Sequence, residues 1–192
     1  MSTHADTLSA SIGRAVKSRR EQLGLSLRAL AGKCGVSASM ISDLERGTKS
    51  PTIATLAAIT QAIDMPMAKL LDGPASSGGR IRVARGSERA IVVDRKSGAR
   101  RQDIGAALAG SKMELVRYTL PARKMVGPFA AHAKGTIEHM HVAKGSVRAV
   151  FGGESEMLSA GDSCSCHADI PHFFDNRAGA GEALIYIVVE KP

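Results

Sequence analysis

Three cysteines in 192 residues are too few, and odd in number, for a disulfide-stapled scaffold. The count fits a chain kept in the reducing cytoplasm. No apolar run is long enough to span a bilayer, so no membrane partner is expected. The opening MSTHADTLSA lacks the pattern of a signal peptide. Internal repeats, low-complexity tracts and long blocks of like charge are also missing. What the chain does have is a basic balance, with 26 Lys/Arg against 18 Asp/Glu and a net charge of +8. The excess is +4 in Met1–Leu71 and +4 in Asp72–Pro192, so charge marks neither half as the polyanion binder. The polar, small-residue stretch DGPASSGG, Asp72–Gly79, reads as a flexible linker between two domains.

The most informative segment is Gly24–Pro51. Ser26 precedes the apolar i, i+3, i+4 pattern Leu27, Leu30, Ala31, which is a helix start with a hydroxyl cap. The helix runs to about Cys34, and Gly35 supplies the positive φ of a tight inter-helix turn. Ser37 caps a second helix in which Met40, Ile41 and Leu44 face inward. Ala38, Ser39, Ser42, Asp43 and Arg46 face outward, and Gly47 closes it. Ser50-Pro51 is expected to start the next helix as cap and first residue. That helix, Pro51–Ile63, buries Ile53, Leu56, Ile59 and Ile63. Cys34 is expected in the core of this bundle.

This order resembles the lambda-repressor-like helix-turn-helix of the XRE family. The likeness covers about Ile12–Leu71: an opening helix Ile12–Leu23, the two helices above, the Pro51–Ile63 helix and a short MAKLL helix. Ala29 stands where the family often has an acidic residue, which removes a capping-box partner. The resemblance implies that Ser26 and Arg28 lie over phosphates. It implies that Ser37, Ala38, Ser39, Ser42 and Asp43 face the bases, with Thr48 and Lys49 as further phosphate contacts. No Gln, Asn or Arg leads the reading helix, so water and DNA shape share the selectivity.

Beyond Gly79 the pattern changes to short β-branched runs: IRVA, AIVVD, MELVRYTL, SVRAVF and ALIYIVVE. Turn signals separate them at Lys96–Gly98, Gly152-Gly153 and Ala160–Asp162. Many short strands at regular spacing predict an all-β sandwich or barrel. The stretches His132–Gly145 and Gly161–Asn176 resemble the two motifs of the cupin barrel (double-stranded β-helix) over about Met113–Glu190. His132 falls on the first histidine of the first motif, and Glu138 and Gly145 keep its spacing. Lys134 stands where the second histidine belongs. Gly161, His172 and Asn176 match the second motif, whereas His167 and Asp169 replace its proline and second glycine. The domains expected are thus 10–71, linker 72–79 and barrel 80–192: an all-α bundle followed by an all-β barrel.

His132, Lys134 and Glu138 are spaced by even numbers, so in regular strands they share one face. His172 comes from a later strand. Two histidines and a carboxylate suit a divalent metal such as Zn, Mn, Fe or Ni with open positions. Equally, Lys134 among them would make a metal-free pocket that pairs with Glu138 or grips an effector carboxylate. His141 is a further candidate ligand, although regular alternation turns it and His139 away from Glu138. Cys164 and Cys166 alternate along a strand and are expected to point inward. They serve either as small apolar residues or as thiol ligands or a redox pair beside His172. The two-part layout implies a non-enzymatic regulator that binds a palindromic duplex as a homodimer, with its reading helices ~34 Å apart. Its barrel would bind a small-molecule effector. The alternative is a metal-dependent cupin oxygenase or isomerase fused to a DNA-binding head.

Overall fold

A computed structural model describes residues 4–65, 67, 70, 81–106 and 111–192. It divides into two compact units, Met1–Ala75 and Ser76–Pro192. The linker expected at Asp72–Gly79 lies outside the described residues, as does most of the MAKLL helix.

The first unit is a helical bundle of α1 (His4–Gln22), α2 (Leu27–Cys34), α3 (Ala38–Glu45) and α4 (Ile53–Ala62). Ser26 and Ser37 cap α2 and α3 as expected, accepting from the Ala29 and Met40 amides at 3.1 and 3.2 Å. Gly35 ends α2 in the left-handed region at φ 66°. The start of α4 differs from expectation. Thr52, not Ser50, is its cap and accepts from the Thr55 amide at 3.0 Å. Ser50 instead meets the hydroxyl of Ser9 on α1, 2.9 Å away. Leu30, Ile41, Leu44, Ile53, Leu56, Ile59 and Ile63 are wholly buried and form the core. Cys34 is only half-buried, at the end of α2.

Two contacts fix α3 against α1. Arg20 donates from Nε and Nη2 to both carboxylate oxygens of Glu45, at 2.7 and 2.8 Å. Its Nη1 donates to the Leu25 carbonyl at 2.9 Å, so the buried guanidinium is satisfied in three directions. At Gly13 of α1, an added Cβ would stand 2.2 Å from the Leu44 carbonyl oxygen. Glycine inside a helix costs stability, and here it is the condition for the close approach of α3.

Among the described residues, the second unit holds ten strands in two antiparallel sheets. They are β1 (Ile91–Val93), β2 (Arg100–Asp103), β3 (Met113–Leu120), β4 (Met125–Phe129) and β5 (Ile137–Lys144), then β6 (Ser146–Phe151), β7 (Glu154–Ser159), β8 (Ser163–His167), β9 (His172–Asp175) and β10 (Ala183–Glu190). One sheet has the order β1-β2-β3-β10-β5-β8, the other β4-β9-β6-β7. Val116, Tyr118, Leu120, Met140, Val142, Ile185 and Ile187 line the inner side of the first. Val126, Phe129, Val147, Ala149, Phe151 and Phe174 line that of the second. This is the two-sheet, cupin-type barrel that the motifs imply. The run IRVA forms no strand: Ile81 and Val83 are strongly exposed, and among the described residues no strand pairs with them. Gly145 and Gly161 turn with positive φ at the ends of β5 and β7. Buried Asn176 donates its amide to the carbonyls of Leu120, Pro121 and Gly181, tying three loop ends together.

Candidate functional site

Within the barrel unit, three of the expected ligands converge. Glu138 lies on the inward side of β5, where burial alternates strictly between Glu138, Met140 and Val142 inward and His139 and His141 outward. His172 opens β9 on the facing sheet, and His132 comes from the segment before β5. The Nε2 atoms of His132 and His172 stand 3.2 and 3.6 Å from Glu138 Oε1. One donor atom from each of the three lies within 4.8 Å of the others. The His172 and Glu138 side chains are 1% and 6% exposed, while that of His132 is 26% exposed and stands at the entrance.

The second layer of contacts sets the chemistry. His172 Nδ1 lies 3.0 Å from the Ile170 carbonyl, which can only accept, so Nδ1 carries the proton. Burial is the main force holding the His172 pKa below its usual range, which favours the neutral ring. Its Nε2 therefore aims a lone pair at the Glu138 carboxylate. Glu138 Oε2 is buried and has no hydrogen-bond partner. Two acceptors facing each other beside an orphaned carboxylate oxygen form a donor set that a cation satisfies. The residues present therefore fit a divalent metal with two imidazole nitrogens and one carboxylate. Phe151 stacks on His172 at 4.9 Å and 9°, and Phe129 and Phe174 flank it at 5.4 and 6.0 Å. Tyr118 stands edge-on to Phe129 and Phe174. Burial pushes its hydroxyl up to about 12, so it stays protonated.

Two expected ligands do not join this group. Lys134 is exposed in the turn that precedes β5. The even spacing from Glu138 has no force there because the strand begins only at Ile137. Among the described residues Lys134 makes no ion pair with Glu138. His141 lies on the outer face, exposed, with Nδ1 2.9 Å from Ser163 Oγ; the alternation is regular through Val142, and the one register shift with β10 falls beyond it, at Ala143. The aromatic wall was missed. The alternation of MELVRYTL could have placed Tyr118 inward, but nothing in the sequence brings Phe129, Phe151 and Phe174 to one histidine.

On the helical unit, the candidate DNA-facing residues share α2, α3 and the loop that follows. Arg28, Ser39, Thr48 and Lys49 are exposed. Ser26 and Ser37 spend a lone pair on capping. Asp43 meets Arg46 Nη2 at 2.6 Å and Lys49 Nζ at 2.7 Å. Arg46 also donates to Ser42 Oγ at 2.6 Å. Thr48 donates its hydroxyl to the Asp43 carbonyl at 3.0 Å. Arg46 was not among the expected contacts, though its i−3 and i−4 spacing to Asp43 and Ser42 signals this network. The Lys49 hydrogen bond leads the forces that hold the Asp43 pKa below its usual value.

Comparison with known proteins matches residues 16–70 to the family HTH_3, helix-turn-helix. HTH-type transcriptional regulator SutR of Escherichia coli (strain K12) is 26% identical over 181 residues, covering 94% of each chain. The crystal structure of an HTH_3 family transcriptional regulator from Vibrio cholerae aligns with a TM-score of 0.78 at 25% identity, covering 98% of this chain and 99% of that one. The crystal structure of FeII HppE shares the fold at 20% identity and a TM-score of 0.50, covering 94% of this chain and 98% of that one. Among the described residues, no helix is long and apolar enough to cross a membrane. The sequence motifs, the bundle with its capped α2–α3 pair and these likenesses converge: residues 16–70 are a helix-turn-helix domain of the HTH_3 type, and over its length the chain is similar to HTH-type transcriptional regulators, with a cupin-type barrel as its second unit.

Proposed function

We propose that this regulator is effector-responsive, and that its barrel binds a small molecule at His132, Glu138 and His172. The observation that carries this reading is the buried Glu138 Oε2 without a partner, facing two histidines and walled by aromatic rings. A bound divalent metal (Zn, Mn, Fe or Ni) would supply Lewis acidity and open positions for an oxygen or nitrogen donor of the effector. His172, locked in one tautomer by Ile170, and Glu138 would hold it, with His132 at the entrance. Phe129, Phe151 and Phe174 keep water from the far side of the ring. The head acts as a cytoplasmic homodimer on a palindromic operator, with Ser37, Ala38, Ser39, Ser42 and Asp43 toward the bases and Ser26, Arg28, Thr48 and Lys49 toward phosphates. The effector shifts operator affinity only to the extent that it binds the two states unequally.

Thermal-shift screening of amino acids and organic acids, with and without added metal, tests the barrel. Gel retardation with the palindrome upstream of the gene tests the head. Sequence-indifferent binding at every salt concentration refutes the operator reading. No stabilisation by any ligand refutes the effector reading. The triad with open positions also favours a second reading, a metal-dependent cupin enzyme, since two histidines and one carboxylate are the donor set of non-haem iron oxygenases. Turnover of a stabilising ligand by the metal-loaded chain would decide for it.

A further inference from the structure

Cys164 and Cys166 take no part in the triad, since neither sulfur belongs to the group of donors gathered within 4.8 Å. They occupy successive inward positions of β8, opposite Met140 and Glu138 of β5. Their Sγ atoms stand 3.7 Å apart, and both residues are half-buried free thiols, within reach of small solutes.

That separation bears on which bond two thiols can form. A disulfide needs its sulfurs about 2.05 Å apart and its Cα atoms no farther than about 6.8 Å. Alternate residues of an antiparallel strand already stand about 6.8 Å apart. The β8 backbone is held in register by five consecutive pairs with β5, from Ile137–His167 to His141–Ser163. Two thiolates on a tetrahedral zinc, each about 2.3 Å from the metal, stand about 3.8 Å apart. The two thiols now share a hydrogen bond at 3.7 Å, and that spacing is also the bite of a chelate, so a cation can replace the shared proton without moving the strand. Glu138 adds a negative field that acts on both thiols.

We propose that Cys164 and Cys166 form a chelating pair for a thiophilic divalent cation of the zinc–cadmium class, a centre separate from His132, Glu138 and His172. Two S–H bonds break, two metal–sulfur bonds form, and two protons leave to solvent; no oxidation state changes. Burial raises the Cys164 thiol and pushes that of Cys166 up to about 12, so the protons stay in place until the cation displaces them. The remaining positions of the cation fall to solvent or an added ligand. The proposal stands whether or not the barrel takes an effector.

The test is titration of the full chain with cadmium under reducing conditions, followed by the thiolate-to-cadmium charge-transfer band. One cadmium per chain is expected in the band, with two protons released for it; cadmium held by the triad carries no thiolate and gives no band. The band should survive Cys34→Ser, which removes the third thiol, and His172→Ala, which disables the triad. Cys164→Ser and Cys166→Ser should each weaken binding at least tenfold, and the double variant should abolish the band. Circular dichroism melts confirm that each variant is folded; the single variants serve if the double one is not. Absence of the band in the native chain, undiminished cadmium affinity in the folded Cys164→Ser or Cys166→Ser variant, or loss of the band with His172→Ala would overturn the proposal.

Discussion

Glu45→Gln isolates what holds the reading helix in place. Arg20 and Glu45 meet as a fork, both largely buried, with side-chain exposures of 11% and 7%. Glutamine keeps one acceptor but turns an amide donor toward Arg20 Nη2, and the guanidinium loses its buried counter-charge. Removing one partner of such a pair costs about 3–5 kcal/mol. Glu21, at 3.5 Å but half-exposed, offsets part of this, so the lower end of that range applies. A unit of this size has about 4–11 kcal/mol of stability at 0.05–0.15 kcal/mol per residue. A loss of about 3 kcal/mol should therefore lower its melting midpoint by about 12–24 °C. Far-ultraviolet circular dichroism follows the helices directly, and the transition of the β unit should stay where it is. The double variant Arg20→Met/Glu45→Leu removes both charges together. It should recover to within about 1–2 kcal/mol of the native chain, the remaining loss being the Leu25 carbonyl left without its donor. A single variant within about 1 kcal/mol of native, or a double variant no better than the single, would refute the reasoning.

Gly13→Ala should destabilise the helical unit by about 1–3 kcal/mol despite alanine's better helix propensity, because its Cβ meets backbone rather than a yielding side chain; a melt at or above the native midpoint would contradict this. Glu138→Gln should leave the metal-free barrel as stable as native or more so, since an orphaned charge is removed, yet abolish the gain of about 2.7 kcal/mol that a metal at a hundredfold its Kd gives the native chain; calorimetry with and without metal separates the two effects. Asp43→Asn should free Arg46 and Lys49 and steepen the salt dependence of DNA binding by about one unit of log–log slope, read by fluorescence anisotropy. The Asp43 pKa lies below its ordinary 3.8 when folded, so its clamp on Lys49 is complete above that value and is lost only as pH falls through the lower folded one; a carboxyl NMR midpoint at or above 3.8 would contradict it.

The helical unit was legible because local signals decide it. Ser26, Gly35 and Ser37 act within a few residues of themselves, and the structure uses each as read. The miss at Ser50-Pro51 came from competition between two adjacent caps, settled by the Ser9 hydroxyl far away in sequence. In the barrel, β3, β6 and β10 showed through their alternating apolar runs and begin and end where the runs do. RRQD of β2 and ESEMLS of β7 carry no such signal. They are strands because β3 and β6 offer them ladders, a tertiary cause. IRVA had the pattern but no partner strand among the described residues. At the site, chemistry was legible and parity was not. Glu138 and the two histidines were visible as donors, but where β5 begins decides that Lys134 stands in the turn and not on the strand face.

The donors of the triad belong to different parts of the barrel. Glu138 hangs from the six-stranded sheet, His172 from the four-stranded sheet, and His132 from the segment that enters β5. An occupant that engages all three is therefore a cross-brace. It would convert two sheets that meet mainly through apolar side chains into one mechanical element, slowing amide exchange in β5 and β9 together. The same brace would stiffen the barrel without moving a backbone atom, and a rigidity change of that kind is enough to carry a signal through entropy alone.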